Sequence, residues 1–443
     1  MKSAGAHIER KDPAGTASAD GTPFRSCVSR RHFSASLIAA IALGKLHFIR
    51  AQGSSATTVA TLLTGSGNLN PRWYGFNLLE YFSTDPDWMK YFPYRNDGRF
   101  KEDDFRWMRD WGFNFARLPM DYRFWTDPGN PMKIDERKLE PIDRVIRMGE
   151  RYGIHVNICL HRAPGYCILD SLNSLATGIR ITNEKTNLFT SHRAQDAFLH
   201  QWTVFAQRYK SIPGDRLSFN LVNEPKVFST PERVIAWQGH NDKGPVETAS
   251  HEDPTQGARE YARIARVAFD CIRGIDPNRP IVVDGFDVST EPVWELDSTQ
   301  AIQSAHDYFP DAVTSYRAEW ARGEKSPTDV PAWPPASDPN MTTQGRDNVE
   351  AHFQPWEKLA ASNVPIHFGE MGCYKYTPPQ VVLAWFDDTL DVIDELGAGW
   401  ALWNFRGPFG VLDTERHGTR FQNWYGHQLD RPLLDLLQKK MRN

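Results

Sequence analysis

The stretch that decides the fold is Leu217-Ser218-Phe219-Asn220-Leu221-Val222-Asn223-Glu224-Pro225. Its first six residues are mostly apolar and of strand length, and such a run is typical of a strand buried in a parallel sheet. An Asn-Glu pair follows directly, and proline then ends the strand. The sequence therefore predicts a strand over Leu217–Val222 that delivers the carboxyl group of Glu224 to its C-terminal end.

The same kind of apolar run recurs along the chain and alternates with amphipathic stretches of helix length. Eight strands are predicted, at Tyr74–Leu79, Phe113–Met120, Ile154–Leu160, Leu217–Val222, Pro280–Gly285, Ala301–His306, Pro365–Gly369 and Ala398–Phe405. The predicted helices are Glu102–Trp111, Arg137–Tyr152, Gln195–Tyr209, Ala258–Ile275, Val349–Ser362 and Gln380–Leu396, with a short one at Pro292–Leu296. Alternating strands and helices favour parallel pairing, and eight such units can close on themselves. We therefore expect an α/β fold, a single-domain (β/α)8 TIM barrel.

Three connections that follow strands are long. They run over Gly165–Leu188, Pro225–Thr255 and Phe309–Gln344. In a barrel of this type they emerge at the C-terminal face, where enzymes of this fold build their sites. We expect them to contact substrate, although tolerated surface insertions would look the same.

Composition excludes several classes of protein. The 443 residues carry a formal charge of −4, with 40% hydrophobic and 24% charged residues. This composition is that of a globular chain, and it offers no basic footprint for nucleic acid. No apolar run is long enough to span a membrane. The five cysteines contain no CxxC pair, and HExxH, Walker and GxGxxG motifs are missing from the sequence, so we expect no metal and no cofactor.

The N-terminal part of the sequence has the features of an export signal. A polar lead of 28 residues ends in Ser29-Arg30-Arg31-His32-Phe33, and a short apolar run follows at residues 34–44. This resembles a twin-arginine signal. We expect residues 1–55 to be the lead and signal, residues 56–443 to be the catalytic domain, and the mature protein to be periplasmic or extracellular. The alternative is an amphipathic surface helix with a chance arginine pair.

A second strand also ends in a glutamate. In Pro365-Ile366-His367-Phe368-Gly369-Glu370, the seventh predicted strand delivers a carboxyl group to the same rim as Glu224. A single glutamate at a strand end is more often a salt-bridge or capping residue. Two of them on one barrel indicate hydrolysis of a glycosidic bond, which needs a carboxylic acid and a carboxylate on either side of that bond.

These residues and their order resemble glycoside hydrolase family 5, the cellulase-type retaining β-glycosidases, over most of residues 72–440. The positions that match the family pattern are Arg117, His161, Asn223, Glu224, His306, Tyr308, Glu370 and Trp403. The resemblance implies a (β/α)8 barrel and a site made of these eight residues.

The resemblance also implies a role for each site residue. Glu370 is the nucleophile and Glu224 the acid/base, with their carboxyl groups about 5 to 5.5 Å apart. Arg117 is expected to lower the pKa of Glu370, and Tyr308 to donate a hydrogen bond to it. Asn223 binds the sugar 2-hydroxyl. Three more residues support the substrate: Trp403 as the sugar platform, with His161 and His306 binding hydroxyls or orienting the glutamates. No third ligand is expected beside the two histidines, which argues against a metal site.

Further residues are candidates for the wall of the cleft. Arg162 adjoins His161, and Asn404 and Arg406 follow Trp403. Four more tryptophans are candidate sugar platforms: Trp73, Trp125, Trp333 and Trp356. Asp307 lies between two site residues, and its side chain is expected to point the opposite way on the strand.

The substrate class implied by the resemblance is a β-1,4-linked polysaccharide, cleaved internally, with cellulose or another β-glucan first. β-Mannan, xyloglucan, β-1,3-glucan and aryl or glycolipid glycosides are alternatives. A different class of protein, a barrel that binds carbohydrate without hydrolysing it, is also possible, although the two glutamates argue against it. We expect a monomer whose partner is the polysaccharide or oligosaccharide.

Overall fold

Eight parallel strands close into a barrel in the computed structural model of the chain. The structure describes residues 71–82, 99–127, 130–168, 186–226, 254–318, 330–334 and 345–442. The barrel strands are β1 (Tyr74–Asn77), β2 (Phe115–Asp121), β3 (His155–Arg162), β4 (Leu217–Asn220), β5 (Ile281–Asp284), β6 (Ile302–Asp307), β7 (Ile366–Met371) and β8 (Gly399–Leu402). Each strand pairs with the next one along the chain, and β1 pairs with β8. All eight predicted strands are confirmed, with ends that shift by up to three residues.

Helices cover the outside of the barrel. The longer ones are α1 (Glu102–Asp110), α2 (Glu140–Tyr152), α3 (His192–Tyr209), α4 (Pro254–Arg273), α5 (Arg346–Ala361), α6 (Pro379–Glu395) and α7 (Arg431–Lys440). Short helical turns lie at Tyr122–Phe124, Glu136–Leu139, Phe286–Ser289, Trp294–Thr299 and Asp311–Thr314, and small hairpins pair Thr126–Asp127 with Asn130–Ile134 and Gln422–Trp424 with His427–Leu429. The fifth unit has only short turns, at Phe286–Ser289 and Trp294–Thr299, near the short helix predicted at Pro292–Leu296.

A glycine ends α2 and leads into β3. Gly153 follows α2 with φ 70°, and its N–H reaches the carbonyls at the end of that helix. This left-handed backbone is costly for residues with a Cβ, so the glycine allows a sharp turn into β3.

Aromatic rings fill the end of the barrel where the strands begin. Trp73 stacks on His155 with ring centroids 4.2 Å apart and on Phe115 at 5.1 Å, and its ring meets the edge of His367 at 5.6 Å. Burial lowers the pKa of each histidine to about 3, so both rings are neutral at physiological pH. Trp73 therefore lies at the end opposite to the glutamates, and the expectation that it is a sugar platform is wrong.

The other three candidate platform tryptophans pack in the barrel wall or in the outer layer of helices. Trp125 is fully buried and donates to Gln201 at 2.8 Å, and the buried Trp356 donates to the carbonyl of Thr290 at 3.0 Å. Trp333 donates to Asp388 on α6, in the outer layer, at 2.8 Å. These side chains are held by packing outside the cleft, so the expectation that Trp125, Trp333 or Trp356 contacts sugar is not met.

Two sequence expectations fall mostly outside the described residues. The proposed signal at residues 1–55 lies wholly outside them, as do most of the three long connections.

Among the described helices, none has the length and apolar character needed to cross a bilayer. Cys159 and Cys167 are both buried and do not bridge to each other.

Candidate active site

Glu224 and Glu370 face each other at the C-terminal end of the barrel. Glu370 lies within β7, and Glu224 follows β4 on a backbone with φ 46°. Both side chains are buried, and one carboxylate oxygen of each lies within 4.8 Å of the other. The strands bring together two carboxyl groups that are 146 residues apart in the sequence.

Arg117, on β2, lies at the centre of the site. Its guanidinium is 1% exposed and lies 2.5 Å from Glu370 Oε1. Its other contacts are with groups on or just after the barrel strands: Asn77 at 3.0 Å, Cys159 at 3.2 Å, Asn220 at 2.8 Å, Asn223 at 2.9 Å and Asp284 at 3.2 Å. A buried arginine with this many acceptors is fixed in place and supplies a permanent positive charge beside Glu370.

Tyr308 holds the second oxygen of the same carboxylate. Its hydroxyl donates to Glu370 Oε2 at 3.0 Å. Glu370 therefore accepts from Arg117 on one oxygen and from Tyr308 on the other. Both hydrogen bonds favour the ionised form of the carboxyl group.

His306 joins the two glutamates. Its Nδ1 lies 2.9 Å from Glu224 Oε1 and 3.7 Å from Glu370 Oε2. Burial, and then the charge of Arg117, hold the pKa of this imidazole well below its usual value, so the ring is neutral. A neutral histidine can hydrogen bond to Glu224 whether that carboxyl group is protonated or not.

A bulge between β6 and β7 sets this contact. Ala305 is opposite Phe368, but the next residue, His306, is opposite Glu370, so Gly369 is left out of the ladder. A Cβ at Gly369 would overlap Ser304 Oγ and lie 3.2 Å from His306 Nε2. Only glycine leaves room for the histidine beside the glutamate.

The two glutamates have unlike environments. Burial raises the pKa of Glu224 well above its usual value, and the charge of Glu370 raises it further. Burial also raises the pKa of Glu370, to about 7, although Arg117 and the hydrogen bonds from Arg117 and Tyr308 lower it. Arg117 therefore lowers the pKa of Glu370 as expected, but loss of water outweighs the ion pair and the net pKa is raised. The order is preserved, since Glu370 gives up its proton before Glu224.

Several polar atoms at the site have no hydrogen-bond partner within the described residues. They include Nδ2 of Asn223, Nδ1 of His161 and both amide atoms of Asn404, and all three side chains are buried. A buried donor without a partner is costly unless a ligand completes it. These atoms are suited to bind sugar hydroxyls, as the family resemblance implies for Asn223 and His161.

An aromatic floor lies beside the glutamates. Trp403, 5% exposed, stacks on His161 with centroids 5.2 Å apart, and Phe82 meets that imidazole edge-on at 4.1 Å. Trp403 belongs to a buried cluster with Leu79, Phe82, Cys167, Ala318, Tyr374 and Phe409. The expected position of Trp403 at the cleavage point is compatible with this packing.

Three neighbouring candidates have structural partners instead. Arg162 donates to Asp121 at 3.1 Å, and Arg406 is paired with Asp104 on α1. The carboxylate of Asp307 accepts from the backbone N–H of Phe309 at 3.0 Å. Arg162 joins the ends of β3 and β2, and Arg406 joins the segment after β8 to α1, while Asp307 points away from the glutamates, as expected.

Sequence reasoning missed four residues of the site. Asp284 and Asn220 end β5 and β4, Asn77 ends β1, and Tyr166 donates to the carbonyl of Glu224 at 2.6 Å. The signal that could have found Asp284 is the one used for the glutamates, a carboxyl group at the end of an apolar strand. Tyr166 lies in a loop and gives no such signal.

The two glutamates and His306 also have the residue types of a metal site. One ligand atom from each lies within 4.8 Å of the others, although His161, the second histidine considered in the sequence, is not in this group. Arg117 and Tyr308 already donate to both oxygens of Glu370, and a guanidinium in contact with a ligand opposes a cation there. The absence of a metal from the reaction stays a prediction.

Comparison with known proteins gives consistent matches. Residues 72–407 match the model of the family described as Cellulase (glycosyl hydrolase family 5). Cellodextrinase A of Ruminococcus flavefaciens is 29% identical over 68% of this chain and 77% of its own length. Endoglucanase C of Acetivibrio thermocellus is 20% identical over 71% of this chain and 87% of its own. A crystal structure of a glycoside hydrolase superposes with a TM-score of 0.67 and 32% identity, and the match covers 83% of this chain and 99% of that one.

Proposed function

Because the chain belongs to glycosyl hydrolase family 5, and is therefore a glycoside hydrolase, we propose that it cleaves β-1,4-linked polysaccharide internally, by double displacement with retention of configuration. Glu370 is the nucleophile and Glu224 the acid/base in this proposal. The membership also weighs against a barrel that only binds carbohydrate.

One observation carries the proposal: two buried carboxyl groups face each other and have unlike hydrogen-bond partners. Glu370 has Arg117 and Tyr308 on its oxygens, whereas Glu224 has a neutral histidine on one oxygen. Near neutral pH, this arrangement favours one carboxylate and one carboxylic acid. An approach within 4.8 Å supports the shorter spacing of retaining enzymes rather than the roughly 6.5 to 9.5 Å of inverting ones.

In the first step, the Glu370 carboxylate attacks the anomeric carbon. The bond from that carbon to the leaving oxygen breaks, and Glu224 gives its proton to this oxygen. The product is a glycosyl ester on Glu370. Nδ2 of Asn223 has no hydrogen-bond partner among the described residues, so it is suited to bind the sugar 2-hydroxyl as positive charge develops on the ring.

In the second step, water attacks the same carbon and gives its proton to the Glu224 carboxylate. The ester bond breaks, and Glu370 is released as a carboxylate. The charge of Glu370 is absent from the ester, so one cause of the raised pKa of Glu224 is removed when Glu224 must act as a base. Two inversions give the β-anomer.

The choice of β-1,4-glucan rests on the relatives. An endoglucanase and a cellodextrinase align over about two thirds or more of the chain. β-Mannan and the other β-glycans remain candidates, because the connections that shape the outer cleft decide between them. A reducing-sugar assay on soluble glucans, mannans and xylans distinguishes these substrates, and little or no activity on glucans would overturn this choice.

Azide rescue tests the roles of the glutamates. Glu224→Ala should form the glycosyl-enzyme from a dinitrophenyl β-glycoside, whose leaving group departs without a proton, and then stall. Azide needs no base, so it should restore turnover and release the β-glycosyl azide.

Glu370→Ala supplies the reciprocal result. This variant should lose activity by orders of magnitude, and azide should attack from the opposite face and yield the α-azide. Reversed anomers would exchange the two roles, and full activity of Glu370→Ala would remove that residue from the mechanism. Wild-type enzyme with azide serves as the control and should still release the β-sugar.

A further inference from the structure

A third carboxyl group lies beneath the two glutamates. Asp284, the last residue of β5, is completely buried. Its Oδ2 accepts from Arg117 Nη2 at 3.2 Å and from the backbone N–H of Glu224 at 3.1 Å, and its Oδ1 accepts from Asn220 at 2.8 Å. Asp284 therefore accepts hydrogen bonds from two of the eight residues of the family pattern, Arg117 and Glu224. The bond from Glu224 comes from its backbone N–H, so neither glutamate carboxyl group is involved.

The contact with Glu224 fixes an unusual backbone. Glu224 has φ 46°, a left-handed conformation that residues with a Cβ seldom adopt. Its N–H is held by Asp284, and its carbonyl is held by the hydroxyl of Tyr166 at 2.6 Å. The peptide groups on both sides of Glu224 are therefore tied down, and its side chain starts from a fixed direction.

The contact with Arg117 gives one guanidinium two anionic partners. Arg117 uses Nη1 for Glu370 and Nη2 for Asp284. Loss of the second anion would leave Nη2 with the uncharged acceptors Cys159 and Asn223. A change at Asp284 therefore reaches the nucleophile through Arg117.

We propose that Asp284 is a positioning residue for this reaction: it orients the acid/base through the backbone of Glu224 and the nucleophile through Arg117. This inference rests on the proposed function. Asp284 does not contact the reacting atoms, because it lies below the glutamates and is 0% exposed.

The negative charge of Asp284 also acts on the whole site. The titratable and charged groups that face it from the surrounding strands and from α4 are Arg117, Cys159, Glu224, Tyr261, His306 and Glu370. Among these groups, it raises the pKa of both glutamates. Removal of the Asp284 charge therefore lowers the pKa of Glu224 and the pKa of Glu370.

The test is the pH dependence of kcat/KM for Asp284→Asn on a soluble β-glucan. The acid limb reports the group that must be ionised, Glu370, and the alkaline limb reports the group that must be protonated, Glu224. Both limbs should move to lower pH, by about one pH unit or more. At the optimum, kcat should fall roughly ten- to a hundredfold because the glutamates are misplaced, while KM changes little.

Asp307→Asn is the matched control. Asp307 is also a buried aspartate at the end of a barrel strand, but its carboxylate accepts from the N–H of Phe309 and not from the site. This variant should keep the wild-type pH limits. A folded Asp284→Asn enzyme with wild-type kcat and limits would overturn the inference, as would an equal shift in the control.

A second variant covers the case in which Asp284→Asn does not fold. The double variant Asn220→Asp/Asp284→Asn keeps one carboxylate beside Arg117, because Arg117 Nε lies 2.8 Å from Oδ1 of Asn220. It should return the pH limits toward wild type, yet kcat should stay low because the Glu224 N–H has lost its carboxylate. Wild-type kcat in this double variant would overturn the inference. Wild-type enzyme that hydrolyses no β-glycan would instead overturn the proposed function.

Discussion

At the scale of single residues, the partners of a carboxyl group decide what it does. The buried acids at the C-terminal end of the barrel differ in their hydrogen-bond partners. Glu370 accepts from an arginine and a tyrosine, Glu224 contacts a histidine, and Asp284 accepts from an arginine and an asparagine amide. By contrast, Oε2 of Glu80 has no hydrogen-bond partner among the described residues. Glu80 has no role in the proposed mechanism. It therefore offers a test of the electrostatics without disturbing the site.

Glu80→Gln should stabilise the protein at high pH and not at low pH. Burial, and then the charge of Asp104, raise the pKa of Glu80 to about 8 in the folded state. The folded state thus holds a proton that the unfolded state has released, so stability falls as pH rises from the usual carboxyl value to about 8 and is level above it. Glutamine removes this loss, which is on the order of a few kcal/mol.

The measurement is the melting temperature of both proteins at about pH 5 and about pH 9. The gain from Glu80→Gln should appear mainly at the higher pH. Glu150→Gln, at an exposed position on α2, removes a glutamate charge from the surface and should show no such difference. Equal gains at both pH values would contradict the assigned burial effect.

At the scale of strands and loops, the barrel strands and the residues that follow them make the site. Arg117, Asp284 and Glu370 belong to β2, β5 and β7, and the bulge at Gly369 brings His306 on β6 opposite Glu370. A bulge rotates the side chains that follow it, so one glycine sets the contact between two site residues.

Gly369→Ala should therefore damage the site more than its small size suggests. The new methyl group would overlap Ser304 Oγ and press on His306 Nε2. We expect kcat/KM to fall on the order of a hundredfold, because a displaced His306 no longer joins the two glutamates. Kinetics on a soluble β-glucan, with melting temperatures alongside, give the answer.

Ser304→Ala supplies the control and the rescue. Alone it removes the Oγ that the new methyl group would overlap, and combined with Gly369→Ala it should recover part of the lost activity. Wild-type kcat/KM in Gly369→Ala alone would show that the bulge does not position His306.

At the scale of the whole molecule, closure of the barrel turns a sequence order into a site. β1 pairs with both β2 and β8, so Asn77, near the start of the fold, lies beside residues near its end. The Asn77 amide donates to the carbonyl of Gly369 on β7, and its oxygen accepts from Arg117 on β2. Residues 72–407, the span that matches the family, contain the whole barrel.

The segment before the barrel carries the prediction about location. If Arg30 and Arg31 form a twin-arginine signal, exchange of both for lysine should leave the protein inside the cell, because that export route reads the arginine pair. Fractionation of a bacterial host that expresses the full chain measures this. Arg25→Lys, outside the pair, is the control and should still be exported. Export of the double-lysine protein would contradict a twin-arginine signal.

The sequence determined the number, order and kind of the strands, and the residues that end them. Alternating apolar runs and amphipathic helices are local patterns, and the carboxyl ends of Leu217–Val222 and of Pro365–Gly369 can be read from neighbouring residues. Glu224 and Glu370 were predicted in this way, and the resemblance to the family supplied the other six residues of the site. All eight lie at the same end of the barrel.

Only the tertiary structure decided how these residues act on one another. The net rise in the pKa of Glu370 depends on burial, which outweighs the nearby Arg117, and burial is a property of the closed barrel. The contact of Asp284 with the backbone of Glu224 joins residues 60 positions apart. Trp73 and Trp125 looked like Trp403 in the sequence, yet they lie at the base and in the wall. Distances across a barrel arise from strand register and closure, and a linear pattern contains neither.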